Sequence, residues 1–212
     1  MLSFSPSALL VLCSLTNLAV AKCPTPTVPS VTVKNGTYDG VYSPEYDQDF
    51  FLGVAFAQPP VGPLSFQVPQ SLNTSWKNTK PAQSYSSACV GGFDQIFSDT
   101  SEDCLYLNVV RPRSVSKKFQ TKLPVVVWIH GGNLVTGSGI DQSSNLSFIV
   151  QKSVDVGKPI IAVSINYRLG IWGWLTGKEV VKAGVANLGM RDQRLALHWL
   201  QENIAAFGGR VS

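Results

Sequence analysis

His130-Gly131-Gly132-Asn133 closes an uninterrupted apolar run, Val125-Val126-Val127-Trp128-Ile129, and is the place in this chain where main-chain N–H groups could do chemistry. Glycines let the backbone turn its amides toward one point and keep a Cβ out of the path of whatever approaches. Amides held that way stabilise an oxygen that becomes negative, as a carbonyl oxygen does under attack. The same residues also suit a plain strand-to-loop turn with no chemical task. Other reactive groups are sparse. His198 lies between Leu197 and Trp199 in a helical stretch, as a packed or surface histidine would, and no serine has Gly at both the −2 and +2 positions of a nucleophile turn.

Several elements must hold that turn in place. The run 125–129, β-branched and apolar on both faces, predicts an interior strand of a parallel sheet. From Ser144 to Val156 the spacing of Leu146, Ile149, Val150 and Val154 predicts a helix that stops at Gly157, with Pro159 beyond it. Ile160 to Ile165 reads as the next buried strand, so strand, helix and strand make a βαβ crossover. A last helix runs from Met190 to Phe207, with Leu195, Trp199, Leu200, Ile204 and Phe207 along one face, and ends at Gly208-Gly209. Upstream, Val31 to Val33 and Tyr38 to Tyr42 predict a hairpin turned at Asn35-Gly36. Phe51 to Ala57 reads as a strand running into Pro59-Pro60, and Leu105 to Val110 as a strand closed by Pro112. Alternation of this kind is the signature of an α/β sheet fold.

Composition excludes some classes of function. The net charge of +4 is spread without a Lys/Arg stripe, which argues against a nucleic-acid or acidic partner. With 44% hydrophobic and 14% charged residues the chain has much to bury. Residues 1–21, apolar from Ala8 to Leu12 and ending in Ala19-Val20-Ala21, predict a signal peptide and hence secretion. Ser14, Thr16 and Asn17 interrupt the stretch too early for an anchor helix, so no integral membrane segment is expected once it is removed. Residues 22–212 then suffice for one domain. Cys23, Cys89 and Cys104 remain, and Cys89 with Cys104, flanking a polar loop, is favoured over a pair that includes Cys23 in its Pro-rich surroundings; two free buried thiols are the alternative. Asn35, Asn73 and Asn145 each begin an Asn-x-Ser/Thr glycosylation sequence.

Three stretches together carry a resemblance: Glu102-Asp103-Cys104-Leu105-Tyr106-Leu107-Asn108-Val109, His130-Gly131-Gly132, and Asn166-Tyr167-Arg168-Leu169-Gly170 followed by Asn187-Leu188-Gly189-Met190-Arg191-Asp192-Gln193. From about Val31 to Gly209 the chain resembles the N-terminal part of a type-B carboxylesterase/lipase, the α/β-hydrolase family that includes cholinesterases and secreted fungal lipases. The resemblance implies an α/β-hydrolase fold and hydrolysis of a small-molecule or lipid ester by Ser-His-Glu/Asp acyl transfer, with no metal and no organic cofactor. It assigns the oxyanion-hole amides to Gly132 and Asn133, in a loop with His130 and Gly131, and makes His130 a pocket-lining residue. Where the family usually has a third glycine this chain has Asn133, which tolerates positive φ better than other side chains. It also implies the Cys89–Cys104 disulfide and a structural ion pair between Arg168 and Asp192. A second family pair joins Glu102 to an Arg immediately before Phe66; here that position is Ser65, so Glu102 must find another partner or water. The loop from Val90 to Asp103 is short for an interfacial lid, which suggests an open site for soluble esters.

By the same resemblance the chain is expected to stop ahead of the nucleophile elbow, with all three triad members absent, and to be inactive alone. The family continues Gly-Gly with Asp-Pro, whereas here Arg210-Val211-Ser212 follows. Val-Ser can be encoded by a splice-donor hexamer, so a retained intron or a gene-model error is the expectation. The alternatives are a non-catalytic binding or adhesion relative and a non-functional truncation product. A sheet lacking its next strand would present an unpaired hydrophobic side and tend to aggregate.

Overall fold

Strands that the sequence makes apolar on both faces lie beside one another in a five-stranded mixed sheet, and the turn after Ile129 leaves from its end. The computed structural model describes residues 27–92, 99–113 and 122–210. Residues 1–21, read as a signal peptide, together with Cys23, part of the loop between the two paired cysteines and Val211-Ser212, lie outside the described residues.

In chain order the strands are β1 (Ser30–Val33), β2 (Gly36–Asp39), β3 (Val41–Ser43), β4 (Gln48–Ala55), β5 (Lys80–Pro81), β6 (Ala88–Cys89), β7 (Thr100–Ser101), β8 (Tyr106–Pro112), β9 (Val125–Ile129) and β10 (Ile161–Ile165). The helices are α1 (Ser147–Asp155), α2 (Gly170–Trp174), α3 (Lys178–Lys182) and α4 (Leu188–Asn203). The main sheet runs β3-β4-β8-β10-β9, antiparallel except for the β10–β9 pair, in which Ile161 to Ile165 lie beside Val125 to Ile129. That parallel pair joined through α1 is the expected βαβ crossover. The β1–β2 hairpin also forms, but Val33 pairs with Gly36, so the turn residues are Lys34 and Asn35.

One face of the sheet carries the main core: Phe51, Leu107, Val109, Ile161, Val163 and Ile165 pack with Trp199, Leu200, Ile204 and Phe207 of α4 and the 3-10 turn that continues it. The apolar face expected on α4 is the face it buries, and the helix starts at Leu188, slightly earlier than expected. The opposite face of the sheet meets α1.

Two expectations are corrected. The strand 125–129, expected in the interior, is an edge among the described residues, and Val126, Trp128 and Ile129 are 39–43% exposed. Helix α1 turns Ser147, Val150 and Ser153 inward, while Ile149 and Val154 face out. Ser153 explains part of this: its Oγ donates to the Val150 carbonyl (2.6 Å) and accepts from the N–H of Ile160 (3.1 Å) as the chain turns back toward β10, while the main-chain carbonyl of Ser147 accepts from buried Gln48 Nε2 (3.0 Å). Hydrogen bonding outweighs the transfer gain of two aliphatic side chains there.

Candidate active site

The turn that follows β9 has three consecutive residues at positive φ: Gly132 (113°), Asn133 (53°) and Leu134 (64°). Gly132 is dictated by space as well as by φ, since a Cβ there would collide with the Thr136 carbonyl. The Gly132 carbonyl faces into the loop and accepts from the N–H groups of Val135 and Thr136, both at 3.0 Å. Its own N–H and that of Asn133 donate to nothing among the described residues. Two consecutive main-chain donors are thus left without partners at an exposed corner.

Neighbouring segments fix this corner. The N–H of Gly170 donates to the Leu134 carbonyl (2.8 Å) and that of Gly92 to the Val135 carbonyl (2.7 Å). Tyr167 Oη donates to the His130 carbonyl (2.8 Å), and the two rings stack 4.3 Å apart. His130 Nδ1 lies 2.9 Å from the Gly131 carbonyl; a carbonyl can only accept, so Nδ1 carries the proton. Burial lowers the His130 pKa, against the pull of that hydrogen bond, and keeps the ring neutral at pH 7. A neutral imidazole stacked and tethered this way is part of the scaffold. His198 is exposed on α4.

Beside the free amides opens an apolar cavity of about 1040 Å³, whose lining includes Asn133, Leu134, Val135, Ile171, Trp172 and Trp174. His130 is not among its lining residues. A cavity of this size is ample for a small apolar ligand.

Arg168 and Asp192 meet below it. The Arg168 main-chain N–H (3.0 Å) and Nε (2.9 Å) donate to Asp192 Oδ2, and Nη2 donates to Oδ1 (2.8 Å). Nη1 reaches the Gln67 carbonyl (2.9 Å), and Trp174 Nε1 donates to the Arg168 carbonyl (3.1 Å). Burial pushes the Asp192 carboxyl up from its ordinary value, opposed by all three Arg168 hydrogen bonds. Cys89 and Cys104 are joined in a disulfide. Glu102 accepts from Ser65 Oγ at 2.8 Å, so the residue replacing the family's arginine is itself the partner.

The sequence reading passed over a buried charge cluster: Asp49 receives Arg111 Nη2 (3.1 Å) and Arg113 Nη1 (3.2 Å), while Arg111 Nη1 holds the Phe207 carbonyl (3.0 Å). An acid in β4 and a base in β8, both strands mainly apolar, were the available signal. Leu134 at positive φ had none. No group of three or more His, Cys, Asp or Glu side chains among the described residues could hold a metal ion.

An amide-rich corner at the carboxyl end of a sheet strand, opening on an apolar pocket, lies where ligands bind in α/β sheets. The chain belongs to the carboxylesterase family, whose model it matches over residues 27–211. It is 38% identical to Lipase 1 of Geotrichum candidum over 90% of its own length and 37% of the relative's. With Secreted lipase 1 of Botryotinia fuckeliana it shares 37% identity over 91% of this chain and 36% of the other. Among solved structures, a thermophilic pNB esterase superposes with a TM-score of 0.75 at 34% identity, covering 86% of this chain and 37% of that one. Aspergillus niger EstA does so with 0.74 at 34% identity, covering 86% and 34%. The fold is therefore that of the α/β-hydrolases, and the chain spans little more than a third of the length of the relatives it matches.

Proposed function

We propose that the protein is a secreted carboxylic ester hydrolase in which this segment supplies the oxyanion hole and part of the substrate pocket. The observation that carries the reading is the pair of unbonded N–H groups at Gly132 and Asn133, the second of which lines the apolar cavity. When a nucleophile adds to the ester carbonyl, the oxygen takes up the electron pair. Each amide then donates to it at about 2.7–3.1 Å and stabilises the charge by about 3 kcal/mol. The cavity takes the apolar part of the ester. The described residues supply no nucleophile and base within reach of this corner, so turnover requires a serine and histidine from elsewhere in the protein.

The test is to read the cDNA across the Gly209 codon, express the encoded protein and assay it on p-nitrophenyl butyrate. The expected result is a frame that continues through Gly-x-Ser-x-Gly, with turnover abolished by replacing that serine with alanine. A continuing frame without such a serine, or a folded product that turns over no ester in a panel of chain lengths, overturns the hydrolase reading in favour of a binding relative.

Secretion is supported by the apolar leader, by the disulfide, which persists in oxidising compartments, and by similarity to a relative named as secreted. No helix among the described residues is long and apolar enough to cross a membrane. The three glycosylation sequences are not equivalent. Asn73 and Asn145 are exposed. Asn35 is half-buried, its Nδ2 donates to the Thr74 carbonyl (2.8 Å), and its carbonyl accepts from the N–H of Trp76 (2.9 Å), so the second sequence docks on the first. Expressed in a secreting eukaryotic host, released with a glycosidase in heavy-oxygen water and mapped by mass spectrometry, the chain is expected to carry the label at Asn73 and Asn145 but not at Asn35. Label at Asn35 would count against that ordering, and a chain with no label at all against secretion.

A further inference from the structure

The chain leaving the Gly132 turn comes back to the sheet at Gly139, and both main-chain groups of Gly139 are taken by buried side chains. Its N–H donates to Asn166 Oδ1 (2.9 Å), and its carbonyl accepts from Ser164 Oγ (2.6 Å) and Asn108 Nδ2 (3.3 Å). Asn166 Oδ1 also accepts from Ser138 Oγ (3.0 Å), and that oxygen accepts from the N–H of Ile140 (3.2 Å). A Cβ at position 139 would lie 2.8 Å from the Ile165 carbonyl, so the backbone sits flush on the strand.

The two asparagines also tie this point to the rest of the molecule. Asn166 Nδ2 donates to the Ser87 carbonyl (3.1 Å), just ahead of the disulfide, and Asn108 Oδ1 accepts from the N–H of Gly53 (2.9 Å), where β4 shifts register against β8. Asn108, Ser138, Ser164 and Asn166 are each no more than 3% exposed. Asparagine is a poor strand former and costly to bury, and none of these groups faces the cavity. Three of the four, Asn108, Ser164 and Asn166, meet on one loop residue, Gly139.

We infer that Asn166 is a positioning residue for the Gly132 and Asn133 amides, acting through Gly139 and Ser138, with Asn108 and Ser164 as the opposite jaw of the clamp. The inference rests on the oxyanion-hole reading of those amides. The loop 130–139 is held at its start by the Tyr167 hydroxyl on the His130 carbonyl and at its end by this clamp. Between the two anchors the Gly132 carbonyl gathers Val135 and Thr136, and the amides of Gly132 and Asn133 are left without partners. Donors of this kind lower a barrier only if they need no reorganisation when charge develops.

Amide exchange by NMR on the full encoded protein, with or without turnover, tests this without any ester present. The N–H groups of Val135 and Thr136 are the readout, because neither bonds to a clamp residue. In Asn166→Ala they are expected to exchange about tenfold faster, with the Gly132 and Asn133 resonances shifted and α4 unchanged. Asn166→Asp, measured at a pH low enough to keep the buried carboxyl protonated, keeps the acceptor for Gly139 and Ser138 and a donor for the Ser87 carbonyl, and is expected to restore most of the protection. Ser138→Ala, which removes one hydroxyl, serves if Asn166→Ala does not fold, with a several-fold increase expected. Unchanged exchange at Val135 and Thr136, an increase shared equally by α4, or no recovery in Asn166→Asp overturns the clamp. Since no turnover is measured, that result leaves the hydrolase reading standing, and an inactive full protein leaves the clamp standing.

Discussion

Replacing Arg168 with methionine is expected to cost about 3–5 kcal/mol of folding stability, seen as a large drop in the urea midpoint. The reason is the Asp192 carboxylate, fully buried, which loses its guanidinium and keeps only the main-chain N–H of residue 168. Removing both partners in Arg168→Met/Asp192→Leu is expected to recover much of the loss, because no buried charge is then stranded. The same guanidinium holds the Gln67 carbonyl, and the Arg168 carbonyl anchors Trp174 on the cavity wall. Tryptophan fluorescence should therefore report loosening of the pocket before the main transition. A single variant within about 1 kcal/mol of the parent would show that Asp192 takes up a proton at little cost and that the pair is dispensable.

The Cys89→Ser/Cys104→Ser double variant is expected to lose about 3 kcal/mol, the loop-closure entropy of a cross-link between residues 15 apart. Both cysteines are buried, so the serines add a desolvation penalty of their own. Comparing the parent under reducing and oxidising conditions separates the two contributions. The measurement is the shift in urea midpoint at unchanged slope. No shift on reduction of the parent would mean that the short strands β6 and β7 and the Gly92–Val135 hydrogen bond hold the loop without help.

Much of the fold was legible because neighbouring residues specify it. The glycines at 132, 157 and 208 all stand at positive φ where the sequence puts a turn or a helix end. The face of α4 was readable because a helix of 16 residues repeats its apolar pattern several times. Helix α1 is shorter and buries two serines, so its pattern marked the buried side only in part: Leu146 and Val150 pack inward, Ile149 and Val154 face out. What stayed hidden depends on long-range pairing. That Asp49 would meet Arg111 and Arg113, or that Asn108 and Asn166 would close on one glycine, follows only once β4, β8 and β10 are side by side. Of the candidate site, the glycine corner and the cysteines could be picked out by residue type and the ion pair only through the family resemblance, but not the anchors that hold the corner.

Just before β9, the N–H of Leu123 donates to the Gly208 carbonyl and the N–H of Arg210 to the Leu123 carbonyl, a single parallel bridge between Leu123 and Gly209. The bridge sets a polarity. Strand β9 delivers the Gly132 corner at its carboxyl end, and its parallel neighbour β10 delivers Asn166, Tyr167 and Arg168 at the same end. Any strand that extends the bridge along the open side of β9 must point the same way, so its last residues arrive level with the free amides. The edge of the sheet therefore acts as a guide rail, fixing both the heading and the destination of whatever pairs with it.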